Sequence, residues 1–389
     1  MKRLVATALA FGAMAISQGA MAQIKIGISV SETGPAASLG KVEKNALQML
    51  PSKVDGVDVK YIILDDASDT TAAVRNARKL VSEDHVDAII GSTTTPNCLA
   101  MTEVAAESGT PLLAMGGGAA IVAPMDSKKK WVFKAVQNDA MMVAAIVQHM
   151  AATGAKKIGY IGFSDATGEG YWNALVPLAA KAGLQIVANE RYQRTDTSVT
   201  GQTLKLMAAK PDAILIAASG TPAALPQKAL KERGYAGKIY QTHGVANNDF
   251  LRVCGKDCEG TYLPIGPLLV AEQLPDSVTF KPVSLDVVSR YEKAYGAGSR
   301  STFISNAYDS FLLLQNAFPA ALKKAKPGTA EFRAALRDSL EATRDFSGTQ
   351  GVYNMTPTDH VGLDDRARVI VRIHDGHWVL AASDGQAKP

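Results

Sequence analysis

The sequence predicts an α/β protein built on mostly parallel, doubly wound sheets. Short runs rich in Ile and Val alternate with helical patterns from Ile24 onward, which implies right-handed crossovers between parallel strands. The series breaks near residues 132–139 and starts afresh at Lys157, giving two similar halves. A chain of 389 residues is also long for one core, since a domain takes about 150 residues.

In the first half the strands fall at 24–30 (IKIGISV), 59–66 (VKYIILDD), 86–92 (VDAIIGS) and 111–115 (PLLAM), with a helix over 70–84. The segment WVFKAVQND, 131–139, reads as one more extended piece. A helix over 139–154 then leads into strands at 157–163, 184–192, 212–219 and 238–244. Helical patterns return at 306–325 and 330–343, and Asp375-Gly376 marks the turn of a terminal hairpin.

Residues 1–22 read as a secretory signal peptide: Lys2 and Arg3 lead into an apolar run that ends in Ala20-Met21-Ala22, with Gln23 as the mature start. No cysteine follows that site to carry a lipid, and no later apolar stretch reaches the roughly 18 residues needed to span a bilayer. The formal charge of +4 drops to +2 without Lys2 and Arg3, a balance that gives no electrostatic case for nucleic acid or a membrane surface. The expectation is an exported monomer.

Cys254 and Cys258, four apart in a loop-like stretch, read either as a local disulfide or as two free thiols; Cys98 reads as a small buried hydrophobe. No histidine or second thiol pair stands at metal-ligand spacing around them, so no metal site is expected.

Two loops attract a functional reading. In GSTTTPN (91–97), Thr95 reads as an N-cap and Pro96 as the first helical residue, so the helix aims its free N–H groups and positive end at the loop. In AMGGGAA (114–120), Gly116, Gly117 and Gly118 let a ligand approach the backbone and can turn successive N–H groups to one side. A threonine run alone is an ordinary helix cap and a glycine run an ordinary turn. Both together after neighbouring strands, where parallel sheets bind ligands, suggest an anion site without a reactive group.

Enzymatic readings fare worse. Neither a phosphate loop nor a dinucleotide fingerprint is present, so no cofactor is expected, and GFSDA (162–166) lacks the last glycine of a nucleophile elbow at Ser164.

The segments IKIGISVSETGPAASLG, LDDASDTTAAVRNARKLVSEDHVDAIIGSTTTPNCLAM, GTPLLAMGGGA and NAYDSFLLL resemble the periplasmic substrate-binding proteins of branched-chain amino-acid ABC importers across essentially the whole mature chain. The resemblance implies two Rossmann-like lobes joined by a three-strand hinge, closing over a ligand in the cleft. It divides the chain into 1–22, a first lobe of 23–136 plus 266–348, and a second of 137–265 plus 349–389. It also implies a periplasmic location and an inner-membrane ABC permease as partner.

The same resemblance puts the ligand carboxylate on Thr94 and Thr95, then Gly116 and Gly118. Where amino-acid binders carry a glutamate for the ammonium, this chain has His243, and a tyrosine of the family is replaced by Gly220 or Thr221. Leu39, Thr167, Tyr171, Trp172 and Phe303 are further wall candidates, whereas Tyr308 and Phe311 share helical spacing with Leu314 and read as core. A pocket that has lost a negative charge suits an aromatic or short aliphatic acid without an amino group. The other readings are a branched-chain amino-acid binder with a different ammonium partner, a sensor subunit, and an exported enzyme.

Overall fold

A computed structural model describes residues 23–381. The expected signal peptide lies outside them. Among the described residues, no helix is long and apolar enough to cross a membrane.

The first sheet grows around β1 (Ile24–Val30), whose Ile24, Ile26 and Ile28 are fully buried. The chain continues through α1 (Ala37–Leu47), β2 (Lys53–Val54), β3 (Val57–Asp65), α2 (Thr70–Ser82), β4 (Ala88–Gly91), α3 (Thr95–Ser108), β5 (Leu112–Ala114) and β6 (Val132–Lys134). Strand order is β2-β3-β1-β4-β5-β6, parallel except for the edge strand β2.

The second sheet is fed by α4 (Asp139–Ala152), β7 (Lys157–Phe163), α5 (Ala166–Lys181), β8 (Gln185–Tyr192), α6 (Thr200–Ala208), β9 (Ala213–Ala217), α7 (Ala224–Glu232), β10 (Lys238–Gln241), α8 (Asn248–Cys254) and β11 (Tyr262–Ile265). The chain then returns to the first core with α9 (Lys281–Tyr295), α10 (Thr302–Leu322) and α11 (Ala330–Glu341); Val287, Phe311, Leu314 and Phe332 pack there together with Tyr308. After the short pair β12 (Phe346–Ser347) and β13 (Val352–Tyr353), the hairpin β14 (Val369–His374) and β15 (His377–Leu380) closes the second sheet as β15-β14-β11-β10-β9-β7-β8. Its turn has φ of 49° at Asp375 and 72° at Gly376, the left-handed pair of a tight two-residue turn.

Three segments cross between the sheets, and side-chain amides join the first to the last. Gln137 Nε2 donates to Gln350 Oε1 (3.0 Å) and to the Ala367 carbonyl (2.6 Å), while Gln350 Nε2 donates to the Ala135 carbonyl (2.6 Å). At the expected 348/349 boundary, Val352 packs into the second core and Tyr353 into the first.

Among the differences from the sequence reading are two in the second sheet. The strand expected over 238–244 stops at Gln241, because the Thr242 hydroxyl accepts the Gly244 N–H (3.0 Å) and starts a 3-10 turn at His243–Val245. β11 is a strand the pattern did not disclose, since Pro264 interrupts its short apolar run. Cys254 and Cys258 are free thiols buried in the second core.

Candidate functional site

The site rests on a buried carboxylate that ties three strand ends together. Asp66, directly after β3, accepts the hydroxyls of Ser29 (3.1 Å) and Ser31 (2.7 Å) at the end of β1 and of Ser92 (2.5 Å) after β4. Asp65 accepts the Glu32 and Thr33 N–H groups, and Asp69 caps α2 by accepting from the Ala72 N–H (2.7 Å). The DDASDTT segment therefore shapes the loops and does not line the cavity, whereas the loop after the next strand, with Thr93, Thr94 and Thr95, does.

A cavity of about 460 Å³, measured out to its mouth, opens where the C-terminal strand ends of both sheets face each other. Leu39, Thr94, Thr95, Gly117, Gly118 and Phe303 line it from the first sheet, and Thr167, Tyr171 and His243 from the second. Four other candidates stand off its surface. Gly116 backs onto α3, where a Cβ would meet Cys98 Sγ and the Thr95 nitrogen, both at 3.0 Å. Gly220 packs against Leu39 and Ser38, with Thr221 opening a 3-10 turn behind it. Trp172 lies beside Tyr160.

The hydroxyl wall differs from expectation in three respects. The N-cap of α3 is Thr94, which accepts the Asn97 N–H at 3.4 Å, and Thr95 is already helical. None of the three glycines has positive φ, so their value is the missing Cβ: one on Gly118 would stand 2.4 Å from Thr95 Cγ2, and one on Gly117 2.9 Å from His243 Nε2. Nor do they form a nest of free donors, because the Gly118 N–H goes to Thr95 Oγ1 (3.1 Å) and the Ala119 N–H to Asp139 Oδ1 (3.2 Å). The Thr94 and Thr95 oxygens thus accept from backbone, which leaves their O–H groups available as donors. Thr93 sits below them, accepting the Ser31 N–H (3.0 Å) and donating to Glu43 (2.5 Å). Burial, reinforced by the charge on Asp66, pushes the Glu43 carboxyl up to about 8, so it is neutral at pH 7.

The opposite wall is made of side chains that satisfy one another. Tyr171 Oη and His243 Nδ1 share a hydrogen bond of 2.9 Å. Burial, helped by the nearby Lys134 ammonium, holds His243 down at about 4, so the imidazole is neutral at pH 7. Arg194 pairs with Asp165 (2.6 Å), donates to Ser219 Oγ (3.1 Å) and Thr167 Oγ1 (2.8 Å), and covers the Phe163 ring at 4.2 Å.

Asp139 and Arg194 both line the cavity, and neither was singled out from the sequence. Asp139 corrects the expectation of a pocket without a carboxylate; its place at a helix start, in QND, was the available signal. Arg194 carries no sequence signal, since it comes from the loop after β8. Lys134 was visible as a lysine inside the apolar run VFKAV and is fully buried behind the glycine loop. Ser164 donates to the Tyr192 carbonyl at 3.2 Å, a structural bond with no base beside it.

Residues 23–376 match the family described as Periplasmic binding protein. An extracellular ligand-binding receptor from Rhodopseudomonas palustris HaA2 is 49% identical, superposes with a TM-score of 0.90, and aligns over 92% of this chain and all of its own. Leu/Ile/Val-binding protein homolog 7 of Brucella abortus (strain 2308) is 24% identical over 99% of this chain and 98% of that protein. An R. palustris ABC-transporter solute-binding protein solved in complex with benzoate shares the fold at 18% identity and a TM-score of 0.79, over 92% and 95% of the two chains. With two mostly parallel sheets and a non-catalytic cleft between them, the chain belongs to the periplasmic binding protein family, as a solute-binding protein and not an enzyme.

Proposed function

We propose that the protein captures a small carboxylic acid without an amino group, with an aromatic or comparable apolar body, and delivers it in the periplasm to an ABC permease. Residues 1–22 act as its export signal and it works as a monomer. The observation that carries this reading is the Thr94 and Thr95 hydroxyl pair at the N-terminus of α3, facing a neutral His243 across a cavity with Leu39, Met115 and Phe303 on its walls. Hydroxyl donors and a helix N-terminus suit a carboxylate, and the apolar residues suit its body.

One observation favours a second reading. Asp139 Oδ1 is occupied by the Ala119 and Ala140 N–H groups, while Oδ2 accepts no hydrogen bond from the described residues. That oxygen could pair with an ammonium, which would make the ligand an α-amino acid.

Calorimetric titration of unfolded and refolded protein, stripped of carried-over ligand, separates the two. Micromolar or tighter binding of benzoate or 4-hydroxybenzoate, with no heat from leucine, supports the first. Tight leucine binding that Asp139→Asn abolishes overturns it in favour of the second.

A further inference from the structure

Lys134 ends β6 with no exposed surface. Its ammonium donates to the carbonyls of Gly117 (2.8 Å) and Gly118 (3.1 Å) and to Asn138 Oδ1 (2.8 Å). Three neutral oxygens thus account for all three protons it can donate. No carboxylate oxygen of the described residues lies within ion-pair distance of it, whereas Arg194 on the other wall has Asp165 at 2.6 Å.

The titratable groups that face Lys134 are Asp139 at the start of α4, the Cys98 thiol on α3 and the His243 imidazole after β10. Asp139 acts through space, without contact. Burial pushes Cys98 up to about 12 and holds His243 down at about 4, so both are neutral at pH 7. The ammonium has its hydrogen bonds but lacks a contacting counter-charge, a costly state for a buried cation. Burial accordingly holds Lys134 down at about 8.

We infer that Lys134 is the charge partner of the ligand: it stands one peptide behind the Gly117-Gly118 wall, and a carboxylate against Thr94 and Thr95 supplies the negative charge the protein omits. This rests on the carboxylate reading of the cleft and holds for amino and non-amino acids alike. The fixed bonds to the two glycine carbonyls also turn those carbonyls away from the cavity, removing acceptors that would repel an anion. Selection against neutral isosteres follows. So does proton uptake on binding above pH 8, because a bound carboxylate raises the proton affinity of the ammonium.

Carbon-13 NMR of the lysine ε-methylenes, with Lys134 assigned by its loss in Lys134→Met, tests the ligand-free protein first. A midpoint near 8 is expected; a midpoint at the ordinary 10.5 overturns the inference. Titrations of benzoate, leucine and benzamide at several pH values above 8 form the second arm. Affinity for whichever acid binds should fall by up to about tenfold per pH unit, and Lys134→Met should abolish that slope. Acid binding with no slope and no proton uptake overturns the inference while leaving the function reading intact. Leucine binding with the slope, and none of benzoate, overturns the non-amino reading while Lys134 stands. If neither acid binds, the function reading fails and the ligand-free midpoint alone decides the role of Lys134.

Discussion

The two walls of the cleft solve one problem in opposite ways. The Thr93–Thr95 and Gly117-Gly118 wall presents backbone-anchored hydroxyls with a buried ammonium behind them that no carboxylate contacts. On the wall of Tyr171, His243 and Arg194, the Tyr171 hydroxyl bonds His243 Nδ1 and the Arg194 guanidinium is paired with Asp165. The first wall is therefore poised to bind and the second to complete an enclosure. Ligand preference depends on both, but the charge preference depends on the first.

The largest expected effect is on the second wall. His243 titrates near 4 in the closed form and near its ordinary 6.5 in any form that exposes it. Between those values the closed form holds fewer protons, so closure is lost as pH falls from 6.5 through 4, by on the order of 3 kcal/mol. Dissociation constants measured down that range should climb steeply in the wild type and gently in His243→Gln; equal slopes would mean that the wall does not close on a neutral ring.

The next effect joins the walls. Gly117→Ala places a methyl 2.9 Å from His243 Nε2, and overpacking of that kind costs about 2 to 3 kcal/mol, roughly thirty- to 150-fold in affinity. The double variant with His243→Ala should recover part of the loss, since the obstacle is then removed; no recovery would place the contact elsewhere.

Thr95→Val should cost about 1 to 2 kcal/mol in binding, because it strands the Gly118 N–H and removes a donor to the ligand. An unchanged dissociation constant would take Thr95 out of the site. Glu43→Gln should leave binding unchanged. It should also raise resistance to denaturant at pH 7, where the wild-type folded state must keep a proton that the unfolded chain releases. A binding defect in that variant would show that the neutral carboxyl positions Thr93 in a way an amide cannot.

Sequence legibility followed the same divide. The first wall could be read because its loops follow regular strands, and a Thr-Pro pair and a Gly run declare what kind of turn each is. Even there the cap was misplaced by one residue, since Thr94 and Thr95 are both competent caps and only the tertiary bond to Gly118 assigns Thr95 its other task. The second wall was only half legible. His243 came from the resemblance, whereas Arg194 and Asp139 reach the cavity from a loop and a helix start that no periodicity links to it. Lys134 shows the limit most clearly: its burial is written in the apolar run around it, but its lack of a counter-charge is a fact about every other segment.

The contact between Gly117 and His243 bears on release. A ligand enclosed by residues of both sheets cannot leave while the two remain together, so its residence time is the waiting time for the protein to open. Whatever receives the ligand has no exposed handle to pull on. It must part Gly117 from His243, and an acceptor that holds the lobes apart obtains the cargo without outcompeting the site for it.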